Sequence, residues 1–354
     1  MEFRTLQTIT TNFLQELQVS EAGKTTSLAC IKHTLAATPL VTDSEVFQVL
    51  TIGGSVFKKA LLKKQHDQLI ILSNEEKLQS PFPTEQSLLE FVARELDLTV
   101  KTVAINFAYP LAPLFENGKL DGMLIMGSKE NTFMGLVGKK LCQTIETYIA
   151  KEKNQTIVAS CANDTICLLL SGLVEKSPSE IAAGIVGTGM NFAMFSDYTT
   201  AINLEAANFD KFDQSNEGKL IDQESAAPQS AVFEKEISGA YLYRHYNLRA
   251  KAHNFAPISS SIELDNLARQ ASPEGKLATI VLTYSAELVA CTISAITLFK
   301  QKPLTFVMEG SLFWKGYQYK EIVAKTVAEL IPEFPVTYIS IADSYFLGPA
   351  KLVS

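Results

Sequence analysis

The sequence predicts an α/β protein built as two lobes, each around its own sheet core, with a cleft between them. Three observations carry this expectation. Strand-like meanders alternate twice with helical segments, and each round carries a glycine turn directly after a strand, at Gly53-Gly54-Ser55 and at Gly187-Thr188-Gly189. That order is the one a duplicated α/β core produces. The chain has 354 residues, beyond the size at which one hydrophobic core usually keeps growing. Hydrophobic residues make up 47% and charged residues 19%, which is enough apolar surface to bury and too little charge to keep the chain disordered.

The elements follow from periodicity. Phe3, Leu6, Ile9, Phe13, Leu14 and Leu17 recur at helical spacing, so residues 3–17 are expected as a helix lying on a larger body. Residues 47–52, 56–62 and 69–72 read as three strands of a meander turned by Gly53-Gly54-Ser55. Thr84 follows the loop Pro81-Phe-Pro and is placed to cap a helix over 85–97. Further strands are expected at 102–107, 155–160, 181–186, 304–308 and 336–340. Further helices are expected at 135–150, 164–174, around 233–246, 277–300 and 319–330.

Composition removes several function classes. The net charge of -7 argues against a nucleic-acid binder, which would need a basic face. Nucleotide phosphates are still within reach, because backbone N–H groups and a metal ion supply positive charge locally. Cys30, Cys142, Cys161, Cys167 and Cys291 are odd in number and form no C-x-x-C pair, so neither a disulfide framework nor a zinc site is indicated. His33, His66, His245 and His253 lack ligand spacing, and no protein-ligated metal is expected. Met1-Glu-Phe-Arg-Thr opens an amphipathic stretch rather than a signal peptide. The longest apolar runs, such as 166–170, are too short to span a bilayer. A soluble protein of a reducing compartment, most simply the cytoplasm, with no membrane or nucleic-acid partner, is the expectation.

Four features carry chemistry. Thr51-Ile-Gly-Gly-Ser-Val-Phe-Lys58 is a strand, a turn and a strand. Its glycines let N–H groups approach a phosphate, and Ser55 adds a hydroxyl; the same residues also make an ordinary hairpin. Gly187-Thr-Gly-Met-Asn191 repeats the arrangement, with the same two readings. Ala162-Asn-Asp-Thr165 lies at a strand-to-helix junction. There Asn163 and Asp164 serve either as a helix cap or as a hydrogen-bonding amide beside a general base. Glu205 and Glu234 are carboxylates in apolar settings, suited to sugar hydroxyls or simply solvated.

Taken together and in order, these segments resemble the hexokinase family. The family's L-D-L-G-G-T-N-F-R is similar to Leu50-Thr-Ile-Gly-Gly-Ser-Val-Phe-Lys58, and its F-S-F-P to Phe107-Ala-Tyr-Pro110. Its T-K-G-F resembles Ser128-Lys129 followed by Glu130, and its V-N-D-T resembles Ala162-Asn163-Asp164-Thr165. I-V-G-T-G-T-N is nearly intact as Ile185-Val-Gly-Thr-Gly-Met-Asn191, and I-N-T-E-W-G resembles Ile202-Asn-Leu-Glu205-Ala-Ala. L-F-E-K-M-I-S-G-M-Y-L-G is nearly intact as Val232-Phe-Glu-Lys-Glu-Ile-Ser-Gly-Ala-Tyr-Leu-Tyr243, and D-G-S resembles Glu309-Gly310-Ser311. The match runs from about Phe47 to the C-terminus, and eight ordered motifs weigh far more than any one of them.

The resemblance implies an actin-like ATPase (ribonuclease H-like) fold with duplicated mixed-sheet cores. It places residues 42–162 and about 345–354 in a small lobe, and residues 1–41 and 163–344 in a large one. It implies ATP and Mg²⁺ as cofactors and a hexose, glucose foremost, as substrate, phosphorylated at the 6-hydroxyl as in glycolysis. Asp164 would be the general base and Lys129 would steady the transferring group. Ser128, Lys129, Asn163, Asp164, Asn191, Glu205 and Glu234 would hold the sugar. Gly53, Gly54, Ser55, Lys58, Gly187 and Thr188 would meet the phosphates, with Gly310 and Ser311 near the adenosine. Such transfer rests on alignment and charge neutralisation.

The departures gather on the nucleotide side. Thr51 stands where the family has an Asp that orients the water shell of Mg²⁺. Val56 replaces an Asn, Lys58 an Arg and Ala108 a Ser. Val289-Ala-Cys-Thr292 and Ser344-Tyr-Phe-Leu-Gly-Pro349 replace glycine-rich stretches. The chain is also shorter than a usual catalytic unit, mostly around 253–275 and at the N-terminus. Two readings result: an active ATP-dependent hexokinase, or a catalytically impaired relative that binds sugar as a sensor or partner protein.

Overall fold

The computed structural model describes residues 1–66, 68–128 and 130–354. The first third of the chain runs α1 (Phe3–Glu21), β1 (Ile31–Thr34), β2 (Val46–Ile52), β3 (Val56–Gln65), β4 (Gln68–Leu78), α2 (Glu85–Glu95), β5 (Thr102–Phe107), β6 (Leu111–Glu116) and β7 (Lys119–Leu124). Then come α3 (Leu141–Lys153), β8 (Val158–Ala162), α4 (Asp164–Ser171), β9 (Ile181–Val186), β10 (Met190–Phe195), β11 (Thr200–Asn203), α5 (Asn216–Gln223), α6 (Val232–Ile237) and α7 (Gly239–Ala252). The chain ends with α8 (Ser261–Ala268), α9 (Pro273–Lys300), β12 (Leu304–Glu309), α10 (Ser311–Lys315), α11 (Tyr319–Leu330), β13 (Val336–Ile339) and α12 (Ser344–Ala350).

These elements form two compact units. One comprises Met1–Cys30, Ala182–Met194 and Asn203–Ser340; the other comprises Ile31–Ile181, Phe195–Ile202 and Ile341–Ser354. The lobes expected from the sequence, 42–162 with about 345–354 and 1–41 with 163–344, differ from these units mainly at 31–41, 163–181 and 195–202. The Asn163-Asp164 junction and α4 thus belong with β2, β5 and β8, not with Asn191 and Glu205.

In the unit that begins at Ile31, five strands lie in the order β4-β3-β2-β5-β8. β2 is antiparallel to β3 and parallel to β5, and β5 is parallel to β8. All six residues of β5 are buried, as a central parallel strand covered on both faces requires. On one face Leu50, Ile52, Ile105, Phe107 and Cys161 join Leu88, Phe91 and Val92 of α2 and Leu141, Ile145 and Ile149 of α3. On the other face α12 packs against α4 as well as β2 and β5. Gly348 permits that contact, because a Cβ there would strike the Cys167 carbonyl. Residues 344–350 are therefore a helix rather than a phosphate turn.

Two local expectations are corrected. The helix expected over 135–150 begins only at Leu141, because Gly135 (φ 96°) and Gly138 (φ 82°) lie in the left-handed region that a right-handed helix excludes. Its first turn is capped from β7: Asp121 accepts from the N–H of Cys142 at 2.8 Å and of Gln143 at 3.1 Å. The helix expected around 233–246 is two helices, α6 and α7, separated at Ser238, whose backbone is extended (φ -79°, ψ 152°). Thr84 caps α2 as expected, in a reciprocal box with Ser87.

In the unit that begins at Met1, neighbouring strands follow the order β10-β9-β12-β13, with β9 and β10 antiparallel and β12 and β13 parallel. α9 packs with α1, α7, α8 and α11. It is 28 residues long with an 18-residue window of mean hydropathy 1.6, so it is long and apolar enough to cross a membrane, unlike the short runs noted in the sequence. However, 72% of that apolar window is buried within the protein, as in a core helix.

Beside α9 the core holds an ionisable side chain. Glu236 of α6 is fully buried and accepts from the Ser215 N–H and hydroxyl, both at 2.8 Å. Burial pushes its carboxyl up to about 7, with Glu217 adding to the rise and the Ser215 bonds and Arg249 opposing it. The folded pKa lies above the ordinary 4.5, so the folded state holds the proton more tightly than the unfolded one. Stability from this group is full below the ordinary pKa and declines as pH rises towards 7. Glu236→Gln is therefore expected to lose less stability than the parent between pH 5 and pH 8, by about 2–3 kcal/mol. Urea unfolding at the two pH values measures this, and equal pH slopes in parent and variant would refute it.

Candidate functional site

In the unit that begins at Ile31, the candidate residues lie just beyond the C-terminal ends of parallel strands, where open α/β sheets bind ligands. β2 ends in Gly53-Gly54-Ser55, β5 in Ala108-Tyr109 and β8 in Asn163-Asp164. The Gly53 carbonyl is pinned by Gln79 Nε2 at 2.6 Å and by the Tyr109 hydroxyl at 3.0 Å. Gly54 and Ser55 are exposed, and a Cβ on Gly54 would meet nothing within 4 Å. Asn131 is buried; its Oδ1 accepts from Phe82 N–H at 2.8 Å and its Nδ2 reaches the Gly54 carbonyl at 3.4 Å. Its backbone is tied to exposed Ser128, whose N–H donates to the Asn131 carbonyl at 2.9 Å. One buried amide thus joins the 128–132 loop to the glycine turn.

Asn163 does cap α4, accepting from Ile166 N–H at 3.1 Å. Asp164 is the first residue of that helix, and its Oδ1 accepts from the Thr165 N–H at 2.7 Å and from the Thr165 hydroxyl at 3.2 Å. These bonds fix the carboxyl, and Oδ2 takes part in neither. Desolvation raises the Asp164 pKa above its ordinary value, opposed by Thr165, as expected for a carboxylate removed from water. Thr51 donates its hydroxyl proton to the Tyr345 carbonyl at 2.6 Å. Lys58 pairs with Glu76 at 2.9 Å and lies 3.6 Å from the centroid of the Tyr345 ring.

In the other unit a second set forms. The turn after β9 is built by backbone-to-backbone packing of three glycines. The N–H of Gly239 donates to the Gly187 carbonyl at 2.8 Å, and Ala240 N–H to Thr188 at 3.2 Å. A Cβ on Gly187 would come within 3.3 Å of Gly310 Cα, and one on Gly310 would strike the Val186 carbonyl. Gly310 has φ 108°, which favours glycine. Gly187, Thr188, Gly310 and Ser311 are therefore brought together, with Thr188 and Ser311 exposed.

Beside this turn, Asn191 Nδ2 donates to Asn203 Oδ1 at 2.8 Å, and Asn203 Nδ2 donates to Glu205 Oε1 at 2.7 Å. Glu205 holds φ 51° without being glycine, a costly conformation that fixed surroundings must impose. Glu234 Oε2 accepts from Met190 N–H at 3.0 Å. Burial raises the Glu234 pKa, and the Glu205 charge adds to the rise. Two partly buried carboxylates and two amides are thus held near one another, in a form suited to polyhydroxyl ligands.

Of the residues named from sequence, Asn163 and Asp164 are placed together, as are Asn191, Glu205 and Glu234. Lys129 lies outside the described residues. Lys58 is occupied by Glu76 and Tyr345. Sequence reasoning passed over Asn131, Asn203 and Gly239. The last two sat inside the quoted Ile202-Asn-Leu-Glu205 and Ile-Ser-Gly-Ala segments, whereas nothing in the sequence marked Asn131.

The chain is similar in sequence and fold to known sugar kinases. The family profile described as Hexokinase matches residues 1–174. Hexokinase-1 of Saccharomyces cerevisiae is 21% identical over 435 residues, covering 100% of this chain and 89% of the yeast protein. Hexokinase-5 of Oryza sativa subsp. japonica is 25% identical over 238 residues, 58% of this chain and 46% of the rice protein. The alignments thus span about half the length of the rice relatives that the chain matches. Among solved structures, the hexokinase from Schistosoma mansoni complexed with glucose has a TM-score of 0.81 at 16% identity, covering 100% of this chain and 95% of that one. A ROK family glucokinase from Streptomyces griseus in complex with glucose and AMPPNP has a TM-score of 0.57 at 15% identity, covering 87% of this chain and 99% of that one. The fold is the actin-like ATPase fold expected from the sequence.

The role given to Asn131 is open to test. Asn131→Ala removes the tether to Gly54 and the acceptor of Phe82 N–H, leaving that buried backbone group unpaired. A loss of about 1–3 kcal/mol is expected in chemical denaturation. A loss below about 0.5 kcal/mol would mean that the loop is held by other contacts.

Proposed function

We propose that the chain is a divergent member of the hexokinase family and, from that premise, that it is an ATP-dependent hexokinase acting on the 6-hydroxyl of a hexose such as glucose. The observation that carries the reading is Asp164. Its carboxyl is partly buried, raised in pKa and fixed through Oδ1 by Thr165, at the C-terminal edge of a parallel sheet. A helix cap alone has no use for this, since Asn163 already caps α4. A base so placed takes the proton of the attacking hydroxyl. The hydroxyl oxygen then forms a bond to the γ-phosphorus while the bond from that phosphorus to the β,γ-bridging oxygen breaks. ADP leaves with that electron pair, and Asp164 holds the proton.

Asn163 Nδ2, which the cap bond does not use, offers a donor to the sugar beside Asp164. Asn191, Glu205 and Glu234 offer the mixture of donors and acceptors that the remaining hydroxyls need, with Asn203 orienting Glu205. Ser128 and Lys129 keep the sugar-loop roles assigned from sequence. Gly53, Gly54, Ser55, Gly187 and Thr188 present open turns to the phosphates, and Gly310 and Ser311 the adenosine side. The nucleotide's Mg²⁺, which neutralises charge on the triphosphate, would be held through its waters by Asp164 and the lone pairs of the Thr51 hydroxyl. Two observations favour the second reading, a sugar-binding protein of impaired activity: Thr51 spends its proton on Tyr345, and Lys58 is paired with Glu76.

Asp164→Asn separates the readings. Turnover, followed as hexose-dependent ADP release, is expected to fall about 10²–10⁴-fold, with glucose affinity by calorimetry within a few-fold of the parent. In the parent, turnover is expected to rise with pH through a pKa above the ordinary 3.8 of aspartate. Turnover in the variant within a few-fold of the parent would remove Asp164 as the base. A parent that binds glucose without releasing ADP would establish the second reading.

A further inference from the structure

Asn106, in β5, plays no part in the assignments above. It is 6% exposed, and its Oδ1 has no hydrogen-bond partner within the described protein. A buried amide oxygen left unpaired costs stability that an apolar side chain of similar shape would not, and such groups are rare in folded proteins. The rest of β5 is Thr-Val-Ala-Ile before it and Phe after it, so an apolar residue would suit the strand.

The position of this oxygen indicates its partner. Asn106 is in register with Thr51 on β2 and with Ala162 on β8, and residues opposite one another share a face of the sheet. Ile105 and Phe107 point into the core shared with α2 and α3. Asn106 therefore points to the opposite face, the side on which Thr51 reaches Tyr345 of α12. One or two residues farther along these strands lie Gly53, Ala108 and Asn163-Asp164. Because the Thr51 proton is committed to Tyr345, Thr51 offers only lone pairs. Thr51 Oγ1, Asn106 Oδ1 and the Asp164 carboxylate thus give this edge of the sheet three acceptor oxygens. Acceptors that do not contact an ion directly are matched by the waters of a hydrated divalent cation, which keeps several of them when it is bound to a triphosphate.

We propose that Asn106 is a positioning residue whose Oδ1 accepts a hydrogen bond from a water of the divalent cation that accompanies the nucleotide. The proposal rests on the ATP-dependent reading above. It accounts for the unpaired oxygen. It also explains how the edge keeps an outer-shell acceptor while position 51 carries a hydroxyl tied to α12.

The test uses the full chain with Mn²⁺ and the non-hydrolysable β,γ-imido analogue of ATP at saturating glucose. Free Mn²⁺ is counted by electron paramagnetic resonance. Loss of an outer-shell partner typically costs 10–100-fold in metal affinity, so Asn106→Leu is expected to weaken Mn²⁺ binding in the complex about tenfold or more. Asn106→Asp, which keeps the acceptor and adds charge, is expected to bind Mn²⁺ more tightly than the parent. Glucose affinity is expected to be unchanged in both. If Asn106→Leu binds Mn²⁺ within twofold of the parent while glucose still binds, the proposal is overturned and the hexokinase reading stands. If Asn106→Leu does not fold, Asn106→Asp decides alone, and an affinity equal to or weaker than the parent's overturns the proposal. A parent that binds neither glucose nor the Mn²⁺ nucleotide overturns both.

Discussion

The parallel register of β2, β5 and β8 is the constraint on which one half of the chemistry depends. Thr51 is held opposite Asn106, and Asn106 opposite Ala162, so the three strands end level with one another. The glycine turn, the Ala108-Tyr109 bend and the Asn163-Asp164 helix start must therefore emerge at one edge. The register is strongly specified because one face buries Leu50, Ile52, Ile105, Phe107 and Cys161; a slip of one residue would turn that set outward. The same packing that stabilises the unit thus positions the Asp164 carboxyl, the Asn163 cap and the Gly53-Gly54-Ser55 turn.

The other unit reaches similar order by backbone contact. Gly310 is needed where two main chains approach too closely for a Cβ, and a Cβ on Gly187 or Gly239 would press tightly on neighbouring main chain. Among the carboxylates beside them, Glu205 accepts from the Asn203 amide and Glu234 from the Met190 N–H. The Glu205 charge adds to the raised proton affinity of Glu234, and Glu205 keeps an unfavourable backbone conformation. Sites commonly hold such local cost where a ligand is to be met with groups already in place. The buried Glu236, two residues from Glu234, shows that α6 also carries an ionisable side chain into the core, where it accepts from Ser215.

Much of this was legible in the sequence where local rules decide. Residues 102–107 and 319–330 form the strand and helix that their patterns predict, and Thr84 caps α2. The pairing of Asn163 with Asp164 could be read through ordered motifs, whereas the packing of Gly187 on Gly310 could not. What escaped notice depended on partners distant in sequence. The start of α3 is set by Asp121 on another element and by two left-handed glycines. Residues 344–350 became a helix because Gly348 allows α12 to lie on Cys167. Asn131 and Asn106 are single polar residues whose meaning comes only from burial. Lys58 looked like a phosphate ligand in sequence because Glu76 and Tyr345, its partners, lie 18 and 287 positions away.

The central claim is that the γ-phosphoryl group of ATP reaches a hexose hydroxyl rather than water. Phosphorus-31 magnetic resonance of the protein with ATP, Mg²⁺ and glucose observes this directly, because sugar phosphate, ADP and inorganic phosphate give separate signals. The account predicts that a hexose 6-phosphate signal grows in step with ADP, with little inorganic phosphate. ATP left intact, or consumed to ADP and inorganic phosphate with no sugar phosphate, would contradict it.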